Sequence, residues 1–202
     1  MSLTDRWRKA DWLGEMQTAV VVCLAGAGLA VAVPVARAVF GDGPVIVRLT
    51  ADSAAGFTGS VGGLPDGAAI TPESVVDVHV ADPSVHQRIA ELLTSLPTLV
   101  VLAAVLALLL HIVREARRGD PFAAHTVQDL RALGLVTALA GSGAVVVESL
   151  AALDLSSTLT PGAGFAVWEL PVGWLLAGVG FLAIAEVLRR GVAMRDELAA
   201  VI

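Results

Sequence analysis

The residues able to do chemistry are few: a handful of acids, four histidines and one cysteine. Glu148 lies within a long apolar run, five residues before Leu153. A carboxylate at membrane depth is costly enough to suggest proton relay or cation binding. Its closeness to the end of the run favours an interfacial or helix-packing role, and Glu169 takes the same reading more strongly. Glu186 precedes Arg189 and Arg190 by three and four residues, the spacing of ion pairs on one helical face. That reads as a local lock, with docking against Arg114 to Arg118 as the sharper alternative. Asp77, His79, Asp82 and His86 lie close together, and imidazole and carboxylate can ligate zinc. Their spacing matches no standard site, so no metal is expected, with His79, His86 and Asp77 as weak candidates. His111 and His125 flank the basic stretch, His111 marking a membrane interface. The single cysteine, Cys23, excludes a disulfide within the chain. It sits in an apolar run without the preceding small residue of a lipidated cysteine, and reads as a buried, inert thiol.

Nothing in the chain composes an active site. There is no phosphate loop, nucleophile elbow, zinc-protease pair or Cys–His arrangement. The expectation is a non-enzymatic protein without a cofactor.

The elements that hold these residues are membrane spans. The 202 residues are 56% apolar and 16% charged, with a mean hydropathy of +0.79; a soluble domain carries about 25% charged residues. The apolar residues gather into runs long enough to cross a bilayer, which takes about 20 residues each. The fold class is an all-α integral membrane protein, four transmembrane helices in a bundle with a small β-containing cap between the first two. The segments are 1–18, span one at 19–39, cap 40–95, span two at 96–113, basic turn 114–131, span three at 132–153, loop 154–166, span four at 167–188, and a helical tail 189–202. Gly26, Gly28 and Ala30 form a small-residue patch suited to close helix contact, and Pro34 is expected to weaken or kink the end of span one. In the cap, Val45, Val47 and Leu49 alternate, as do Val76, Val78 and Val80, each set reading as a half-buried strand. The stretch from Ala54 to Gly67, rich in glycine, reads as a loop. Asp82-Pro83 looks like an N-cap and first helical residue. The helix so begun is expected to run through Ile89 and Leu92 into span two unbroken, bent by Pro97.

Charge sets the orientation. Segments 1–18, 114–131 and 189–202 hold ten of the thirteen Lys and Arg residues. Cationic loops stay cytoplasmic, so both termini and the turn at Arg114, Arg117 and Arg118 are expected inside a cell membrane, with the cap outside. The net charge of −6 arises largely in the cap, and no direct nucleic-acid contact is expected.

At Arg118-Gly119-Asp120-Pro121-Phe122 the chain begins to resemble a known family. That stretch, Leu130-Arg131-Ala132-Leu133-Gly134, and the run from Glu186 through Arg189-Arg190-Gly191 to Leu198 are similar to the bacterial membrane proteins grouped as domain of unknown function 2975 (DUF2975). The resemblance implies four spans, an outer domain after the first, a Gly-(Asp/Asn)-Pro-Phe turn after the second and an Arg-Arg-Gly helix after the fourth. One departure is Ala123-Ala124-His125-Thr126, where the family often has a polar, Asn-containing turn. The family has no assigned activity. Its genes often neighbour one for a small helix-turn-helix regulator, which implies a regulatory pairing.

The functional expectation is a regulatory or signalling membrane protein. Its inner surface, at Arg114, Arg117, Arg118, Asp120, Phe122, Arg189 and Arg190, docks a small cytoplasmic partner, a helix-turn-helix regulator on that resemblance. The blander reading of the same arginines is topology and binding of anionic headgroups. The alternatives are a structural or accessory subunit of a larger membrane complex, or homo-oligomer, and a small transporter or channel subunit. The orientation predicts that alkaline phosphatase fused after Thr160 is active and fused after Arg118 or Ile202 inactive. The opposite pattern overturns it.

Overall fold

The computed structural model describes residues 12–41, 43–50, 74–118, 124–160, 168 and 170–199. Among them are helix α1 (Trp12–Phe40), strands β1 (Val45–Thr50) and β2 (Val75–Val80), and helices α2 (Val85–Leu93), α3 (Leu96–Arg118), α4 (Ala124–Ser157) and α5 (Val172–Ala199). Four stretches are long and apolar enough to cross a membrane: Gly14–Phe40, Leu96–Arg117, His125–Ser157 and Val172–Met194. The chain is an α-helical, multi-pass membrane protein with a two-stranded sheet between its first two spans. Glu169 and the loop expected from Ala54 to Gly67 lie outside the described residues.

The chain divides into two units, one of residues 1–31, 99–143 and 171–202, the other of 32–98 and 144–170. The first holds the packed seam between helices. Val101, Val105, Leu109 and Ile112 of α3 repeat every three or four residues and so share a face. They meet Leu130, Leu133 and Val136 of α4, and Trp174, Phe181, Ala185 and Leu188 of α5. In lipid such contacts are held by close van der Waals packing, because hydrocarbon is as apolar as the side chains. Glycine makes the α4–α5 approach possible. A Cβ on Gly178 would stand 2.6 Å from the Ala138 Cβ and 2.7 Å from the Gly134 carbonyl. A Cβ on Gly141 would strike the Trp174 ring.

The glycine patch of α1 behaves differently. Gly26 and Gly28 have open space where a Cβ would go, so they make no close contact with another helix among the described residues. The buried side of α1 in this unit is narrow, formed by Val20 and Ala27. Cys23, expected to be buried, is exposed, because that stripe leaves most of the helix circumference facing outward.

The second unit holds the cap. Strands β1 and β2 are antiparallel, with Val45 opposite Val80, Val47 opposite Val78 and Leu49 opposite Val76. The alternation works as expected: Val45, Val47 and Leu49 are buried and pack with Ala90 of α2 and Leu155 of α4. Where water is the reference, burying each such side chain is worth about 1.5–3 kcal/mol.

Two helix boundaries depart from expectation. The N-cap of α2 is Ser84, not Asp82. Its hydroxyl accepts from the Gln87 N–H, and the Gln87 side chain accepts from the Ser84 N–H. This capping box satisfies two otherwise orphaned donors at once. The continuous helix expected from the cap into the membrane is broken at Thr94–Ser95. Pro97 has no N–H for the carbonyl four residues back and its ring crowds that carbonyl; Leu93, in that position, is the last residue of α2. Pro34, in contrast, lies inside α1, which continues to Phe40. The helix then closes with the Gly41 N–H on the Arg37 carbonyl at 2.8 Å. A Cβ there would lie 2.5 Å from that oxygen, so the position requires glycine.

The α4–α5 approach predicts that Gly178→Val lowers stability in detergent by about 1–3 kcal/mol, the usual range for overpacking. Gly180→Val on the same helix, where space is open, is expected to be nearly neutral. Thermal unfolding read by circular dichroism separates the two, and equal effects would contradict the packing.

Candidate functional site

The basic end of the spans gathers side chains from four helices, all within the first unit. Arg114 and Arg117 project from the last turns of α3 and are exposed. The Arg117 guanidinium donates to the Gln17 side-chain oxygen of α1, so this arginine joins two helices. Between them opens a shallow hollow of about 560 Å³ lined by Gly14, Glu15, Thr18 and Arg117. The Arg118 side chain, Asp120 and Phe122 lie outside the described residues.

A second cluster stands on α4 and α5. Glu186 accepts from Arg189 at 2.9 and 2.6 Å and from Arg190 at 3.1 Å. These are the pairs that the i,i+3 and i,i+4 spacing implies. The same carboxylate takes Arg131 of α4 at 3.2 Å. Glu186 therefore locks α5 to α4, where docking onto Arg114 to Arg118 was the expected alternative. Three guanidinium groups converge on one carboxylate, so the cluster carries a surplus of two positive charges. All three arginines remain substantially exposed. Exposed pairs of this kind add little to stability; what they do is fix where the surplus charge stands. Arg131 and Gln17 are the residues that sequence reasoning passed over. Arg131 lay within a motif of the family resemblance, and Gln17 carried no signal.

The acid within span three has a defined task in the second unit. The Glu148 carboxylate accepts from the Thr98 N–H at 2.7 Å and the Thr98 hydroxyl at 3.0 Å. Thr98 lies in the first turn of α3, where backbone N–H groups have no partner within the helix. An anion there also suits the positive end of the helix dipole. Glu148 thus acts as an N-cap supplied by a neighbouring helix, and both its oxygens are engaged.

The cap acids and histidines pair off separately. Asp77 faces Arg48 across the sheet, 3.7 Å away, and His79 lies opposite Ile46. Asp77 and His79 share the exposed face of β2. His86 turns to Asp154 of α4, at 2.9 Å. Among the described residues no three His, Cys, Asp or Glu side chains come together as metal ligands would. His111 and His125 are exposed.

A family described as "Protein of unknown function (DUF2975)" matches residues 76–202. No curated protein and no solved structure matches the chain.

The Glu148 cap predicts that Glu148→Ala costs about 1–3 kcal/mol of stability, the penalty for leaving a buried donor unsatisfied. Glu148→Gln, which keeps one acceptor, is expected to cost less, and Thr98→Ala, which keeps the N–H, less than Glu148→Ala. Thermal unfolding of the three variants in detergent gives the order. An unaffected Glu148→Ala protein would remove the capping role.

Proposed function

The chain belongs to the DUF2975 family of proteins of unknown function, and we propose that it is a non-enzymatic regulatory protein of the bacterial inner membrane. Its termini and basic end lie in the cytoplasm and dock a small partner there, and the cap receives the signal on the other side. The observation that carries this reading is the surplus of positive charge held in place by Glu186, with Arg131, Arg189 and Arg190 exposed around it. Arg114 and Arg117, exposed on the last turns of α3, carry further positive charge. A fixed array of guanidinium groups recognises carboxylates bidentately, which suits an acidic face on a small soluble protein. The helix-turn-helix regulator implied by the family resemblance is the partner to test.

A second reading, an accessory subunit of a larger membrane assembly or a homo-oligomer, is favoured by one observation. Gly26 and Gly28 of α1 are open to the outside, and small residues are the usual means of close helix approach in membranes. A transporter or channel role has less support. Thr137 and Ser149 bond back to carbonyls of their own helix, and Glu148 is engaged by Thr98. Of the buried polar side-chain atoms described, the Ser142 hydroxyl is the one without a partner.

Co-purification from native membranes in mild detergent tests the docking reading. Arg114→Glu, Arg118→Glu and Arg190→Glu together are expected to reduce the retained partner at least tenfold while insertion and stability persist. Arg114 is chosen over Arg117 because Arg117 bonds to Gln17, and Arg190 over Arg189 because it gives Glu186 one bond where Arg189 gives two. Undiminished partner on a correctly inserted triple variant overturns the reading. Recovery of a large membrane complex favours the accessory-subunit alternative.

A further inference from the structure

Helix α2 presents an apolar face that the fold leaves uncovered. Val85, Ile89 and Leu93 are four residues apart, which on a helix brings each nearly above the last. They are 74%, 52% and 42% exposed. The polar side chains of α2 are turned toward protein instead. His86 meets Asp154, Gln87 donates to the Thr158 hydroxyl, Arg88 to the Gly41 carbonyl, and Glu91 accepts from the Ile46 N–H. Ala90 is buried against the sheet. Every polar residue from His86 to Glu91 thus serves the cap or the ends of α1 and α4, and the remaining arc is apolar.

The position of this arc identifies what covers it. Two residues, Thr94 and Ser95, separate the end of α2 from the start of α3 at Leu96, and a membrane span begins at that same residue. Leu93 is therefore at the bilayer surface by chain connectivity. The Arg88–Gly41 bond of 2.8 Å brings α2 beside the end of α1, where Phe40 is 86% exposed. Left in water, this continuous arc would be an apolar patch of the kind that marks an interaction site.

We propose that α2 is an interfacial helix whose Val85, Ile89 and Leu93 face is immersed in the lipid of the leaflet on the cap side. An amphipathic helix of this kind lies at the boundary of headgroups and acyl chains, with its apolar side sunk into the membrane. Its polar side here binds the cap and the span ends. The cap is then seated on the membrane through its own helix, and Arg88 and His86 fix how that helix is rotated about its axis.

The test uses the full-length protein with Cys23→Ser, reconstituted in phosphatidylethanolamine and phosphatidylglycerol vesicles. Nitroxide labels are placed at Val85→Cys, Ile89→Cys and, as a control on the exposed face of the sheet, Asp77→Cys. At positions 85 and 89, collisions with oxygen are expected to exceed those with a water-soluble nickel chelate several-fold, with the reverse at 77. Nickel accessibility at 85 and 89 equal to that at 77 places the face in water and overturns the proposal. Shielding from both reagents means a protein covers it, which overturns it equally. The unmodified chain provides a second measurement with a diazirine-bearing phospholipid. Photoadducts are expected on residues 85–93; adducts on α3 with none on α2 overturn the assignment.

Discussion

A bilayer core offers no water to an unpaired backbone group, and the organisation of this chain follows from that. Only segments that satisfy their own N–H and carbonyl groups can cross, which is why the apolar runs are helices. Each interruption of a helix near the membrane then needs a partner from elsewhere. Pro97 is such an interruption: α2 ends at Leu93, α3 begins at Leu96, and the first turn of α3 has free N–H groups. Glu148 of α4 meets that need with two bonds to Thr98. A carboxylate that would be costly alone in hydrocarbon is acceptable here because its charge faces donors at a helix N-terminus. Gly41 does the corresponding work at the end of α1. It lets the chain turn where a side chain would strike the Arg37 carbonyl, and its own carbonyl receives Arg88.

The same constraint separates the forces in the two units. Within the spans there is no hydrophobic gain from joining helices, so α4 and α5 associate through proximity. Gly134, Gly141 and Gly178 remove the side chains that would hold the backbones apart, and Trp174 occupies the space above Gly141. Glu186 and Arg131 then tie the two helices at their basic end. In the cap, water is the reference, and the buried row of Val45, Val47 and Leu49 is held by the hydrophobic effect. Overpacking a glycine and removing the Glu148 carboxylate therefore attack different terms: the first a van der Waals contact, the second a satisfied donor.

Much of this architecture was legible in the residues. Runs of apolar residues mark the spans, and a period of two places Val45, Val47 and Leu49 on one face, because both signals are local and repeat. The start of α2 was misread for an equally local reason. Asp82-Pro83 has the composition of a cap, but Ser84 with Gln87 forms a reciprocal pair that Asp82 lacks. The glycines show where local reading stops. Gly26 and Gly28 look as suited to contact as Gly134 and Gly141, yet among the described residues it is the second pair that meets another helix. Which side of a helix meets a neighbour depends on how the helices are packed. Long-range polar pairs are harder still. Thr98 and Glu148, or Arg131 and Glu186, are separated by whole spans, and no spacing rule links them. Glu148 was noticeable as an intramembrane acid, but the N–H it serves follows only from the helix break beside Pro97.

That break also leaves α2 a short element held from several sides within its unit. Nine residues long, it touches the end of α1 through Arg88, the end of α4 through His86 and Gln87, and β1 through Glu91. Its own C-terminus leads into α3 within two residues. Coupling between sites travels through rigid elements in contact, and α2 is one element bonded to the ends of two spans and chained to a third. A helix so connected is fixed at Gly41 and Asp154 by its own side chains and, through the two-residue link, to the first turn of α3. Because Thr98 is held by Glu148, α2 is tied to α4 twice, directly at Asp154 and through the start of α3 at Glu148.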